Sequence, residues 1–74
     1  MKLKYDKIAD AIYIKLSDMP YVYGKGLDDL RRIDYDADDN PRGVELLCVS
    51  DGVLTDNLPN RAEIERLLDD IGLN

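Results

Sequence analysis

The sequence has no histidine, no tryptophan and no phenylalanine, and its single cysteine is Cys48. Without histidine, neither a Ser-His-Asp or Cys-His catalytic arrangement nor an imidazole-ligated zinc site can form. One cysteine cannot make an internal disulfide. No stretch reaches the roughly 20 apolar residues of a membrane span, and the start, MKLKYDKIAD, lacks a signal-peptide core. We therefore expect a cytoplasmic, non-catalytic protein with no cofactor, no metal and no membrane partner.

Acidic residues outnumber basic ones by 16 to 10, so the net charge is −6. Residues 1–25 carry five basic and three acidic side chains, whereas residues 26–74 carry five basic and thirteen acidic ones. Such a protein is repelled by phosphate backbones, so we expect no direct nucleic-acid binding. The excess acid keeps a small domain soluble, and it would also attract a basic protein partner.

Seventy-four residues predict a single domain over residues 1–74. A chain this short buries only about 60% of its unfolded surface, so such domains usually need a disulfide, a metal or a partner subunit. Because composition excludes a disulfide and an imidazole-ligated zinc site, the sequence predicts a homodimer or a larger homo-oligomer.

Alternating apolar residues predict strands over residues 1–50. The stretches KLKY and AIYIKLS alternate with a period of two. YVYGKGL and LRRIDYD follow as further strands, separated by the turn residues of SDMP and ADDNPRG. The pattern predicts an antiparallel β-meander of four to five strands.

The last predicted strand, VELLCV, is apolar on both faces and so needs a cover on both faces. Cys48 is interpreted as a buried, inert thiol on the face of Val44 and Leu46. Leu47 and Val49 form the opposite face, which is expected to meet a second copy of the chain.

The stretch NRAEIERLLDDIG predicts one C-terminal amphipathic helix over residues 60–72, after a connector at 51–59. Asn60 is a candidate N-cap, Glu63 completes a capping box, and Gly72 is a typical helix stop. The helix carries one apolar stripe, formed by Ile64, Leu67, Leu68 and Ile71. Because this helix covers one face of the sheet, the predicted fold class is α+β.

The acidic stretch after the fourth strand has two interpretations. Asp34, Asp36, Asp38 and Glu45 have the carboxylate spacing of an EF-hand calcium loop, yet Asp39 occupies the position where that loop needs glycine. The flanking residues favour strands rather than helices, and DADDNPRG is rich in turn-forming residues. The sequence favours a hairpin turn and leaves open weak cation binding by its exposed carboxylates.

Two segments, MKLKYDKIADAIYIKLSDMP and IDYDADDNPRGVELLCVS, resemble the small bacterial family known only as domain-of-unknown-function family 2283. The resemblance covers residues 1–50. The chain departs from the family pattern at DDLRRI, which leaves the register of the hairpin around residues 26–33 open. The matching residues are Tyr5, Asp6, Ala9, Asp10, Ala11, Tyr13, Ile14, Asp34, Tyr35, Asp36, Gly43, Glu45 and Leu46.

The resemblance implies a small β-rich fold and brings no assigned reaction. Some members of the family are encoded beside small toxin-like proteins, and the resemblance therefore implies an antitoxin or partner-binding role. The sequence thus favours a non-catalytic, homo-oligomeric protein-interaction module, antitoxin-like, and leaves a second function open. This second function is a small-ligand or cation-binding module that uses the acidic turn and the tyrosines. The candidate interaction residues are Asp6, Asp10, Tyr13, Tyr35 and Leu47.

Overall fold

The structure, a computed structural model, describes residues 1–73, so Asn74 lies outside it. Five antiparallel strands are followed by a short 3₁₀ turn at Val49–Asp51 and one helix, which confirms the predicted α+β class. Within residues 1–73 no helix has the length and hydropathy of a membrane crossing. The elements are β1 Lys2–Asp6, β2 Ala11–Lys15, β3 Tyr23–Gly26, β4 Arg31–Tyr35, β5 Pro41–Leu47 and α1 Arg61–Asp70.

The strand order is β1-β2-β5-β4-β3, so β2 pairs with β5 rather than with β3 as in a simple meander. The central position suits β5, because it is the longest strand and carries two buried aliphatic side chains. The edge strand β3 contains two glycines, which weaken a strand interior. The other edge strand, β1, carries Lys2 and Lys4, and lysines discourage edge-to-edge pairing.

The core lies between one face of the sheet and α1. Its side chains come from the two central strands, from the turn after β5 and from the helix, and each one is almost completely buried. Burying one such aliphatic side chain contributes about 1.5–3 kcal/mol. The most deeply buried core residues are Ile12, Ile14, Val44, Leu46, Val49, Ile64 and Leu68.

The helix spans Arg61–Asp70, within the predicted range of 60–72, and its start is built differently from the prediction. Asn60 occupies the N-cap position with φ 53°, and its side chain makes no capping hydrogen bond. The Asn60 side chain therefore does not accept a backbone N–H from the first turn of the helix, as a capping box would require. At the other end Gly72 has φ 76°, and its N–H donates to the Asp69 carbonyl at 3.0 Å. The Leu73 N–H donates to the Leu68 carbonyl at 2.9 Å, which completes a Schellman motif.

The prediction of a buried Cys48 is wrong. β5 ends at Leu47, and Cys48 has a left-handed backbone with φ 53° and an exposed side chain. This one residue reverses the alternation of the strand, so Val49 turns into the core beside α1 instead of facing away from it. The uncovered side of β5 therefore carries a single large apolar side chain, Leu47.

Candidate functional site

Two predicted residues, Asp6 and Asp10, bracket the turn between β1 and β2. Asp6 Oδ1 accepts the N–H groups of Ile8 at 3.1 Å and Ala9 at 3.0 Å. Asp10 Oδ1 accepts the Ser50 N–H at 2.9 Å, and its Oδ2 accepts the Ser50 hydroxyl at 2.6 Å. Both carboxylates therefore have structural bonds: Asp6 shapes the turn, and Asp10 ties it to the end of β5.

Tyr13 lies at the centre of the sheet face that points away from α1, here called the open face. Its ring covers Gly43 of the neighbouring strand, where a Cβ atom would overlap the phenol. Its hydroxyl donates to Asp34 Oδ2 at 2.9 Å and accepts a bond from Arg42 Nη1 at 3.0 Å. Burial, followed by the bond to Asp34, raises the pKa of Tyr13, so the hydroxyl remains a donor at neutral pH.

Arg32 extends these contacts across the open face towards β3. Its guanidinium lies over Gly24, the second glycine that leaves room for a flat side chain. Nη2 donates to the Tyr21 hydroxyl at 3.1 Å, and Nε donates to Asp34 Oδ1 at 3.3 Å. These bonded side chains form what we call the polar network, which consists of Tyr13, Tyr21, Arg32, Asp34 and Arg42.

Tyr35 lies on the opposite side of the sheet from Tyr13, because it alternates with Asp34 along β4. It stacks on Tyr23, its partner in the register, with ring centroids 5.0 Å apart and planes 16° apart. The Tyr23 hydroxyl donates to Asp39 Oδ1 at 2.8 Å. Such aromatic pairs contribute about 0.5–1.5 kcal/mol, so Tyr35 serves to hold the edge strand β3. Because they lie on opposite sides of the sheet, Tyr13 and Tyr35 do not form one site.

The acidic stretch forms the hairpin turn between β4 and β5 that the sequence favoured. The buried Asp36 carboxylate accepts the N–H groups of Asp38 at 2.9 Å and Asn40 at 3.0 Å. Asp34 belongs to the polar network instead of facing this turn. Within residues 1–73 no group of three or more carboxylate or thiol side chains is arranged to hold a metal ion.

Leu47 ends β5 beside a groove that the sequence did not predict. Its N–H donates to the Leu30 carbonyl at 2.8 Å, so the two residues are neighbours. Leu30, Leu47, Val53 and Leu54 line a groove of about 360 Å³, here called the leucine groove. Three of these side chains are well exposed: Leu54 by 65%, Leu30 by 46% and Leu47 by 38%.

Arg31 fixes one wall of the leucine groove. Its Nη1 donates to the carbonyl oxygens of Leu54 at 3.1 Å and Asp56 at 2.6 Å, which holds the connector against the start of β4. Nε donates to Asp28 Oδ2 at 2.9 Å, and Nη2 lies 2.8 Å from the same oxygen. The Arg31 side chain is only 10% exposed. Bonds to a guanidinium are stronger than neutral ones, so these contacts stiffen the wall.

The residues that build the groove left two signals in the sequence. Leu30 and Arg31 fall in DDLRRI, the stretch where the chain departs from the family pattern. Val53 and Leu54 form an adjacent apolar pair in the otherwise polar stretch SDGVLTDN. Both signals mark the right residues, but neither shows that the two segments meet.

Comparison with protein families gives one match, to the family described as "Protein of unknown function (DUF2283)", over residues 2–50. The matched segment contains all five strands and ends before Val53, Leu54 and α1. No curated protein and no solved structure shows significant similarity to the chain. Because more than half of its 74 residues match, the chain belongs to the DUF2283 family.

Proposed function

We propose that this chain is a non-catalytic protein-interaction module that binds another polypeptide at the leucine groove. The observation that carries the proposal is the meeting of three exposed leucines from three separate segments, Leu30, Leu47 and Leu54, around one cavity. Single apolar side chains on a surface are normal, whereas several exposed apolar side chains gathered around one groove are typical of an interaction site.

The bonds of the polar side chains support a non-catalytic role. A general acid or base must be free to exchange a proton with a bound substrate. The Asp34 carboxylate instead accepts bonds from Tyr13 and Arg32, and the Asp10 carboxylate is held by Ser50. These two carboxylates therefore serve to stabilise the fold.

The proposal includes self-association through the open face, because α1 covers only the other side of the sheet. This face mixes both signs of charge, so two copies could pair opposite charges across a two-fold axis. Five strands about 4.8 Å apart and about five residues long span roughly 400 Å². That is about half of the roughly 800 Å² per partner of a stable interface. We therefore expect a weak, concentration-dependent dimer. The charged residues on this face are Lys2, Lys4, Asp6, Lys15, Arg32, Asp34, Arg42 and Glu45.

A basic protein is the heterologous partner that the chain's charge of −6 favours. Binding and neutralising such a protein would be the antitoxin-like form of the proposed function.

Sedimentation equilibrium from micromolar to millimolar protein tests self-association. Ala11 and Leu47 are partners in the register, so Ala11→Arg places a long cation beside Leu47 on the open face. The bulk and charge of this side chain should abolish the dimer. Ile8→Arg adds the same charge at the exposed tip of the β1–β2 turn and serves as the control. A wild-type monomer over the whole range would contradict this part of the proposal.

Affinity capture from the native cell, with quantitative mass spectrometry, tests the groove. The wild-type chain and Ile8→Ser should retain the same bound protein, and Leu54→Ser should lose it. Both substitutions remove one exposed aliphatic side chain, but only Leu54 lines the groove. If nothing that the wild type captures is lost with Leu54→Ser, the groove has no binding role.

A further inference from the structure

We infer that the leucine groove takes a basic segment of a partner polypeptide that carries a leucine-sized apolar anchor flanked by lysine or arginine. This inference rests on the proposed function and adds the chemistry of the partner. It follows from the size of the groove, the stiffness of its wall and the charge of its rim.

The size of the groove suits side chains rather than a folded surface. A volume of about 360 Å³ equals roughly twelve water molecules at about 30 Å³ each, and one or two aliphatic side chains could displace them. It also lies at the lower end of the roughly 300–1,000 Å³ range of ligand pockets. Because the exposed walls are leucine and valine, the group that best replaces this water is aliphatic.

The groove is already formed in the unbound chain. The Arg31 guanidinium holds the carbonyl oxygens of Leu54 and Asp56, so the connector wall is fixed to the sheet. On the opposite wall, the Leu47 N–H donates a hydrogen bond to the Leu30 carbonyl oxygen. A partner therefore does not have to order either wall when it binds, which favours affinity.

The rim of the groove is acidic. Two carboxylates, Asp28 and Asp51, line it against one cation, Arg31, and Asp29 lies in the chain between the lining residues Asp28 and Leu30. Arg31 is nearly buried and paired with Asp28, so it offers little positive charge to a partner. Asp29 and Asp51 form no salt bridge within residues 1–73. A lysine or arginine beside the apolar anchor of a partner could therefore form ion pairs with these two carboxylates.

A second copy of the chain is a poor occupant of this groove. A symmetric contact would bring two acidic rims together, and like charges facing each other across an interface are unfavourable. The net charge of −6 adds to that repulsion. A basic partner gains from the same charges, and we therefore choose it over a second copy.

Three synthetic peptides of equal length, with a fluorescent label, test the inference by fluorescence anisotropy. They contain KRLLKR, KRSSKR and DELLED, so they separate the apolar anchor from the flanking charge. The proteins are the wild type, Leu54→Ser, Asp51→Lys and the control Ile8→Ser. Leu54 and Asp51 are exposed, so both substitutions should leave the fold intact, which circular dichroism checks.

The wild type and Ile8→Ser should bind the KRLLKR peptide at least about tenfold more tightly than either other peptide. Leu54→Ser and Asp51→Lys should each weaken that binding. The effect of Asp51→Lys should shrink at high salt, because salt screens exposed charges.

Four results would overturn the inference. These are equal affinity for KRSSKR, equal or higher affinity for DELLED, no binding of any peptide at millimolar concentration, or a dimer that Leu54→Ser dissociates. The proposed function can survive such a failure. A captured native partner that is acidic, and that Leu54→Ser loses, would refute the basic segment and still support an interaction module.

Discussion

The two faces of the sheet come from the same strands but are stabilised by different means. On the covered face, Ile12, Ile14, Val44 and Leu46 pack against α1 with almost no exposure. On the open face, alternate residues of the same strands form the polar network, with its flat groups lying over two glycines. Hydrophobic burial therefore stabilises the covered face, while hydrogen bonds and small residues order the side chains of the open face. Substitutions on the two faces should therefore fail differently.

The largest effect should follow from a cavity on the covered face. Leu68→Ala should cost about 2–5 kcal/mol, because this α1 side chain is completely buried. Small domains are only marginally stable, so the variant is expected to lose its cooperative urea transition at room temperature. Ile71→Ala, at the C-cap of the same helix, is the control: this residue is 40% exposed, and the loss should be about 1 kcal/mol or less. Equal losses for the two variants would mean that α1 does not pack as described.

A smaller effect is expected from crowding the open face. Gly43→Ala should cost about 1–3 kcal/mol, because its new methyl group would overlap the Tyr13 ring. Gly26→Ala is the matched control, since its nearest neighbour would be the Asp28 carbonyl oxygen at 3.8 Å. Urea denaturation compares the two. Adding Tyr13→Ala to Gly43→Ala should make the methyl group harmless, and a cost that persists in that background would refute the overlap.

The third prediction concerns the Tyr13 hydroxyl. Tyr13→Phe should cost about 1 kcal/mol at neutral pH, since it removes the donor to Asp34 and the acceptor for Arg42. Circular dichroism during urea denaturation at a series of pH values measures both this cost and its pH dependence.

The sign of the pH effect follows from the raised pKa of Tyr13. The folded chain holds this proton more tightly than the unfolded chain, whose tyrosine pKa is about 10. The stabilising contribution is therefore complete below about pH 10 and is lost as the pH rises through the folded-state pKa. The bond to Asp39 raises the pKa of Tyr23 as well, so Tyr23→Phe should remove a separate part of the same decline. If Tyr13→Phe loses stability above pH 10 as steeply as the wild type, the hydroxyl contributes nothing there.

The smallest effect should come from the salt bridge between Lys15 and Asp18, at 2.9 Å. The carboxylate is almost fully exposed, so water and salt screen the pair. Lys15→Gln should leave the melting temperature unchanged within error. A clear decrease in the melting temperature would show that this exposed ion pair stabilises the fold.

Local signals in the sequence predicted the elements well. Gly72 follows the end of the helix as expected, because glycine has no Cβ atom and adopts the left-handed conformation of this position at little steric cost. The alternation of AIYIKLS placed Ile12 and Ile14 on one face, and both are in the core. These features depend on neighbours within a few residues, which a sequence displays directly.

Features that depend on distant contacts or on one unusual backbone angle were not predicted. The left-handed conformation of Cys48 reversed an alternation that the sequence alone suggested would continue to Val49. The leucine groove needs Arg31 to reach carbonyl groups more than 20 residues away, and no spacing rule reveals such a contact. Of the predicted interaction residues only Leu47 lines that groove, while Tyr35 lies on the other side of the sheet from Tyr13.

The central place of β5 also affects how the chain can fold during synthesis. β1–β2 and β3–β4 are separate hairpins, joined in the sheet only through β5. An isolated two-stranded hairpin is at best marginally stable in water. At about 5–20 residues per second, β2 must wait roughly 2–7 s for β5 to follow it out of the ribosome. The sheet therefore assembles late and nearly all at once, and nascent chains that stop before residue 47 should be readily cleaved by proteases.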